Sequence, residues 1–253
     1  MSQPFDTLTR DQLALIKAER LAAILQMITG LSHESRNAMQ RAQACLELLE
    51  LELGGGHEQL RLTDRIRQAL ADLHQNYEDV KDYAAPINLN RQPTDLHQLC
   101  QSAFDELTSS LPMVRCRLRF TSPEVDSKVL VDPARMKVVF RNLLDNAIAA
   151  SPNGSPIEVS SVRIFRNDQQ SLRLAIRDHG SGLMEPIQAE LFEPFVTTKQ
   201  HGTGLGLAVC WRIIESHGGI ITAGDHVDGG AMFSMLLPAD AVTPRSTQTF
   251  GSC

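Results

Sequence analysis

Four short stretches of this 253-residue chain hold residue types whose spacing can do chemistry. Asn142 and Asn146 stand one helical turn apart and so share a helix face. Val138, Val139, Leu143, Leu144 and Ala147 flank that face. Amides on an apolar helix cost stability unless they find partners. Their neutral oxygens suit Mg²⁺ shared with phosphate, although the spacing alone fits capping or core-network amides better. In Arg177–Gly182, Asp178 ends an alternating strand. Gly180 and Gly182 there let the backbone approach a flat ligand, or simply make a turn. A carboxylate so placed accepts a hydrogen bond from an amino group such as adenine N6. Gly202, Thr203, Gly204, Leu205 and Gly206 open a helix, and alternate glycines expose N–H groups that favour anions. No Walker lysine follows, and the spacing is not that of a dinucleotide fold. Lys199, just upstream, can reach a terminal phosphate, while Phe192 and Phe195 read as anchors of a lid. Finally, His33 falls at a solvent-facing heptad position beside Glu34, with Asn37 one turn on. Imidazole is a competent nucleophile when a carboxylate takes or orients its other proton. Asn37 can position a water.

The elements that must hold these groups divide the chain. From Leu13 to Leu53 there is no proline and one glycine. Leu21, Ile24, Ile28, Leu31, Ser35, Ala38, Ala42, Cys45 and Leu49 alternate steps of three and four, the seam of a buried helix. Gly54–Gly56 breaks the run, and Leu62, Ile66, Ala69, Leu73, Val80 and Tyr83 resume it. The pattern predicts an antiparallel helical hairpin over residues 1–85. Two such helices cannot enclose a core, so dimerisation into a four-helix bundle is expected. Pro86 ends the second helix, and 86–94 reads as a linker.

Residues 95–240 then mix helices and strands: a helix over Asp95–Leu107, strands at Arg117–Phe120 and Lys128–Val131, and a helix from Asp132-Pro133 to about Ala150. Strands follow at Ile157–Phe165 and Ser171–Arg177, then a helix over Leu205–Ser216 and strands at Ile220–Ala223 and Ala231–Leu237. The expected fold class is α+β, a helical hairpin followed by an α/β sandwich, with a flexible tail over 241–253. Composition agrees. Lys+Arg is 24 against Asp+Glu 30, a net charge of −6 that lacks the basic footprint of a nucleic-acid binder. No apolar run approaches a membrane span and no secretory signal is visible. The five cysteines, without CxxC spacing, read as reduced thiols of a cytoplasmic chain.

With these residues in order, the chain resembles the sensor histidine kinases of two-component systems. His33–Asn37 looks like their H box, Asn142–Ala147 the N box, Asp178–Gly182 the G1 box, Phe192–Phe195 the F box and Gly202–Leu207 the G2 box. The run from Phe195 to Lys199 is closest to the nitrogen-regulation and oxygen-sensing branch. The resemblance covers residues 20–237. It implies a dimerisation and histidine-phosphotransfer hairpin followed by a Bergerat-type ATP-binding domain. It further implies that Asp178 holds the adenine amino group, that Asn142 and Asn146 contact Mg²⁺ and phosphates, and that the lid glycines wrap the triphosphate. His33 would attack the γ-phosphate with Glu34 activating it, and the phosphoryl group would pass to an aspartate on a response-regulator receiver domain. Asn37 matches the position the family uses to dephosphorylate that partner. Other readings are a non-kinase Bergerat ATPase of the mismatch-repair or chaperone type, an anti-sigma serine kinase, and a phosphatase-biased scaffold. The first helix starts mid-pattern, which suggests a catalytic core cut from a longer chain.

Three departures from the family stand out. Ala38 replaces a common proline, so helix bending there is in doubt. Ala149 replaces a basic residue, so one phosphate contact is missing. Ser35 replaces an apolar seam residue and should loosen the bundle near His33. Ser35→Leu is therefore expected to raise the thermal midpoint, measured by circular dichroism; an unchanged midpoint argues against a loosened seam.

Overall fold

The computed structural model describes residues 39–49, 57–109, 115–166, 169–183, 190–197 and 203–239. His33, Glu34, Asn37, Lys199, Gly202, the Gly54–Gly56 turn and the C-terminal tail lie outside them. The chain divides into two compact units, Met1–Pro86 with Thr197–Leu205, and Ile87–Val196 with Gly206–Cys253.

In the first unit, 39–49 (α1) and His57–Ala84 (α2) are helical. Met39 and Leu46 are buried on α1, two turns apart on one face. Thr63 and Tyr83 are buried on α2. The seam residues Leu49, Leu62, Ile66 and Leu73 are instead exposed in the single chain. Ion pairs between Arg67 and Asp64 and between Lys81 and Glu78 lie one turn apart on the α2 surface.

The second unit is a sheet with helices on one face. Its strands are β1 (Gln92–Asp95), β2 (Arg117–Phe120), β3 (Lys128–Val131), β4 (Pro156–Arg166), β5 (Gln169–Arg177), β6 (Ile220–Asp225) and β7 (Ala231–Pro238). Its helices are α3 (Leu96–Ser109), α4 (Pro133–Ala150) and α5 (Gly206–Ser216). The five-stranded sheet runs β2-β4-β5-β7-β6, with β2 parallel to β4 and the other pairs antiparallel. Strand register sets one face inward: Val159 opposes Ile176, Ile176 opposes Phe233, and Leu174 opposes Met235. All of these are buried. They pack with Leu96, Met136, Phe140, Leu143, Leu144, Ile213 and Ile214 of the helices, the main core of the described residues.

The stretch read as the end of a linker is a strand. Gln92–Asp95 pairs antiparallel with β3, although Pro93 cannot donate and the segment carries no apolar alternation. Asp95 then caps α3, its Oδ1 accepting from the His97 and Gln98 N–H groups and from the Ser127 hydroxyl. His97 lies against Phe120, ring centres 5.0 Å apart, and its Nε2 is 2.7 Å from the Ser161 hydroxyl. Asp132 caps α4 by accepting from Arg135 N–H, with Pro133 in the first turn, as its dipeptide predicts.

Burial holds the pKa of His97 and of His217 below the ordinary imidazole value. The unfolded chain takes up those protons near pH 6.5 and the folded chain resists them, so falling pH favours unfolding. Their contribution is present above about pH 6.5 and is lost as pH falls through the lowered folded values. The melting temperature is expected to be flat from about pH 8 to 7 and to drop by about pH 5. A midpoint unchanged down to pH 5 would contradict the burial of these imidazoles.

Candidate functional site

Three close approaches in the second unit gather along the C-terminal half of α4. The first is at β5. Asp178 follows the strand directly and is buried. Its Oδ1 accepts from the N–H groups of Gly180 and Ala231, each at 2.9 Å. Both of these bonds fall on one carboxylate oxygen, and among the described residues no hydrogen bond falls on Oδ2, which can accept a further donor. The backbone of Gly230 lies hard against Asp178, where a Cβ would sit 2.0 Å from the Asp178 carbonyl oxygen.

The second approach is the turn after Asp178. Gly180 passes the end of α4, where a Cβ would lie 2.7 Å from the Ala150 carbonyl oxygen. Gly182 has a φ of +84°, a left-handed conformation that a side chain resists. Asp225, at the end of β6, accepts from Leu183 N–H at 2.7 Å and closes this turn. Asp225 and Gly230 are positioning residues that sequence reasoning missed. Asp225 carried no local signal. The Gly229-Gly230 pair was legible as a turn, but not as the floor beneath Asp178.

The third approach joins two helices. Asn142 and Asn146 are both half-buried on α4. The Asn142 Nδ2 donates to the Val138 carbonyl at 3.0 Å, and its Oδ1 faces α5. Gly206, the first residue of α5, faces that oxygen so closely that a Cβ would lie 2.6 Å from it. The amide is thus held by its own helix, and α5 brings its N-terminal N–H groups to the same place. Two neutral oxygens one turn apart fit a Mg²⁺ shared with phosphate better than a cage made only of protein groups. Among the described residues no cluster of three His, Cys, Asp or Glu could hold a metal.

Glu158 on β4 pairs with Arg119 and lies 3.5 Å from Arg177. Desolvation pushes the Glu158 pKa up, but the Arg119 hydrogen bond and the surrounding positive charges outweigh it and keep the carboxyl below its usual range. His179 has its Nε2 buried without a hydrogen bond, 3.6 Å from Glu158.

Thr203, Gly204 and Leu205 belong to the first unit. There the Thr203 hydroxyl donates to the Asp79 carboxylate of α2 at 2.7 Å. Gly204 has a φ of +69°, and Leu205 is fully buried. Phe192 is half-buried, whereas Phe195 is exposed with a φ of +67°. An aromatic residue rarely holds that conformation. Phe195 therefore does not serve as the packing anchor its sequence context predicts.

Residues 131–241 match the family described as histidine kinase-, DNA gyrase B-, and HSP90-like ATPase. Over 235 residues the chain is 31% identical to sporulation kinase A of Bacillus subtilis, covering 88% of this chain and 36% of that one. Full-length ShkA in complex with AMPPNP is similar in structure, at a TM-score of 0.68 and 25% identity, over 87% of this chain and 47% of that one. Histidine kinase ThkA in complex with the response regulator protein TrrA shares the fold at a TM-score of 0.63 and 24% identity, over 88% of this chain and 64% of that one. The chain spans about a third of the length of the sporulation kinase.

Two glycines separate conformational strain from contact. Gly154 has a φ of +94° with nothing near its absent Cβ, so Gly154→Ala should cost about 1–2 kcal/mol. Gly230 has a φ of +81° and also the Asp178 contact, so Gly230→Ala should cost about 1–3 kcal/mol more. Urea denaturation of the two variants measures the difference; equal costs would mean that Gly230 is not pressed against Asp178.

Proposed function

We propose, from the premise that this chain belongs to the sensor histidine kinases of two-component systems as a catalytic core, that it transfers the γ-phosphoryl group of ATP to His33 and then to an aspartate of a response regulator. The observation that carries this reading is Asp178, a buried carboxylate with one oxygen saturated by backbone N–H groups and the other left for a ligand. That is the acceptor an adenine amino group requires. Gly180 and Gly182 carry the chain tightly past Ala150 and Asp225 beside that carboxylate. Asn142 and Asn146 would hold Mg²⁺, which when bound neutralises phosphate charge. Lys199, Gly202, Thr203, Gly204, Leu205 and the N-terminus of α5 at Gly206 would line the phosphates.

The chemistry at His33 balances simply. An imidazole nitrogen forms a bond to the γ-phosphorus, the bond from that phosphorus to the β–γ bridging oxygen breaks, and ADP leaves. Glu34 accepts or orients the proton on the other ring nitrogen. Phosphoryl transfer needs mainly positioning and charge neutralisation, so few further protein groups are required. Asn37 would place a water for removal of the phosphoryl group from the regulator. A chain of the same fold has been solved with a response regulator protein, the partner class this reading requires.

The working unit would be a homodimer. Leu48, Leu49, Leu62, Ile66 and Leu73 are exposed on α1 and α2. Leu62, Ile66, Ala69, Leu70 and Leu73 line one apolar groove with Arg65 at its side. A contiguous apolar strip of this kind marks an interaction surface, and its heptad spacing suits a second copy. Residues 1–85 would then form the dimerising and phosphoaccepting part and 95–240 the nucleotide-binding part. Among the described residues no helix is long and apolar enough to cross a membrane; a cytoplasmic location is part of the proposal.

The test is incubation with γ-labelled ATP and Mg²⁺, wild type beside His33→Gln, followed by acid and alkali. Alkali-stable, acid-labile label that disappears in the variant is expected. ATP binding without label would move the reading to a phosphatase-biased scaffold. Acid-stable label that persists in the variant would mean a hydroxyl acceptor and would overturn His33.

A further inference from the structure

The N-terminus of α4 and the C-terminus of α5 are joined by a buried histidine that the nucleotide reading leaves unused. Asp132 N–H donates to His217 Nε2 at 2.9 Å. His217 Nδ1 lies 2.7 Å from the Ile213 carbonyl oxygen one turn back, and with an acceptor on that side it is the nitrogen that carries the proton. Both ring nitrogens are therefore committed, one as donor and one as acceptor, in a side chain that is only 3% exposed. The pin has counterparts along the same pair of helices. Cys210 Sγ sits 3.8 Å from the Val139 carbonyl oxygen, and Gly206 abuts Asn142 at the far end. The helices are thus antiparallel neighbours, with α5 fixed at both ends and the pins about 15 Å apart along each axis.

The chain entering the second unit is tied to the same joint. Asn90 N–H donates to Asp132 Oδ2 at 2.8 Å, while Oδ1 caps α4. The Arg91 guanidinium donates to the Ser216 carbonyl at the end of α5, at 3.0 Å. One bond from this segment therefore goes to each helix.

We propose that His217 is a positioning residue for nucleotide binding. It sets the spacing of α4 against α5, and hence of Asn142 against the α5 N-terminus, with Arg91 as its outer clip. The inference rests on the nucleotide reading above. The physical reason is leverage. With one end released, α5 can slide or pivot against α4, and a site that is about 1 Å too loose loses much of its binding. A leucine at 217 would fill the space but leave Asp132 N–H buried without an acceptor. A glutamine can supply both an acceptor and a donor.

The experiment is titration of the full chain with a fluorescent ATP analogue and Mg²⁺, with thermal midpoints measured alongside and binding read well below them. His217→Leu is expected to weaken binding about tenfold, His217→Gln to recover most of it, and Arg91→Ala to weaken it about threefold. A lowered midpoint with unchanged affinity in His217→Leu would make the residue structural only and overturn the proposal. Should His217→Leu fail to fold, Arg91→Ala decides: its side chain is exposed, and unchanged affinity there overturns the proposal equally. A wild-type chain that binds no nucleotide refutes the nucleotide reading instead, and the first titration reveals it.

Discussion

The second unit depends on how closely other backbones can approach α4. A helix normally keeps its neighbours 8–10 Å away because side chains intervene. Here α4 is met at the Ala150 backbone by Gly180, at a distance no Cβ would allow, and at the Asn142 side chain by Gly206. These contacts bring the turn after β5 and the start of α5 to the amide-bearing half of one helix. The apolar stripe of α4, with Met136, Val139, Phe140, Leu143 and Leu144 buried, locks the same helix onto the sheet. The site therefore inherits its rigidity from the core rather than from its loops.

A second consequence concerns charge. Asp178 is buried, and an isolated carboxylate would pay a large desolvation penalty there. Two backbone N–H groups supplied by Gly180 and Ala231 offset it, and they do so on one oxygen only. The geometry keeps the group accepting while fixing its direction. Asp225 plays a related part by holding Leu183, so that two aspartates from different strands define one turn. At the opposite end of α4, Asp132 serves as helix cap and as anchor for the incoming chain.

The two units solve different problems. The second encloses its own core between a five-stranded sheet and helices α3, α4 and α5 of the described residues. Among its described residues the first leaves the seam residues Leu49, Leu62, Ile66 and Leu73 exposed.

Much of this was legible in the sequence because it is local. The 18-residue helix after Asp132-Pro133 followed from a cap, a proline and an apolar stripe. Strands β2 and β3 form where the sequence predicts short strands, and Asn142, Asn146, Asp178, Gly180 and Gly182 stand out by type and spacing. Strand β1 was not legible, because a segment without apolar alternation becomes a strand only when β3 offers it a ladder. Nor were Asp225, Gly230 and His217. Each acts on a residue more than forty positions away, and no local pattern records that a backbone or a ring nitrogen will arrive there. Phe195 shows the same limit in reverse, since its aromatic character predicts burial and its backbone conformation turns it outward. Sequence by itself determined most of the elements and which residue types they carry, since capping, periodicity and side-chain type act over a few residues. Tertiary structure alone decided which groups meet, because that depends on the close approach of backbones that only the packed core brings together.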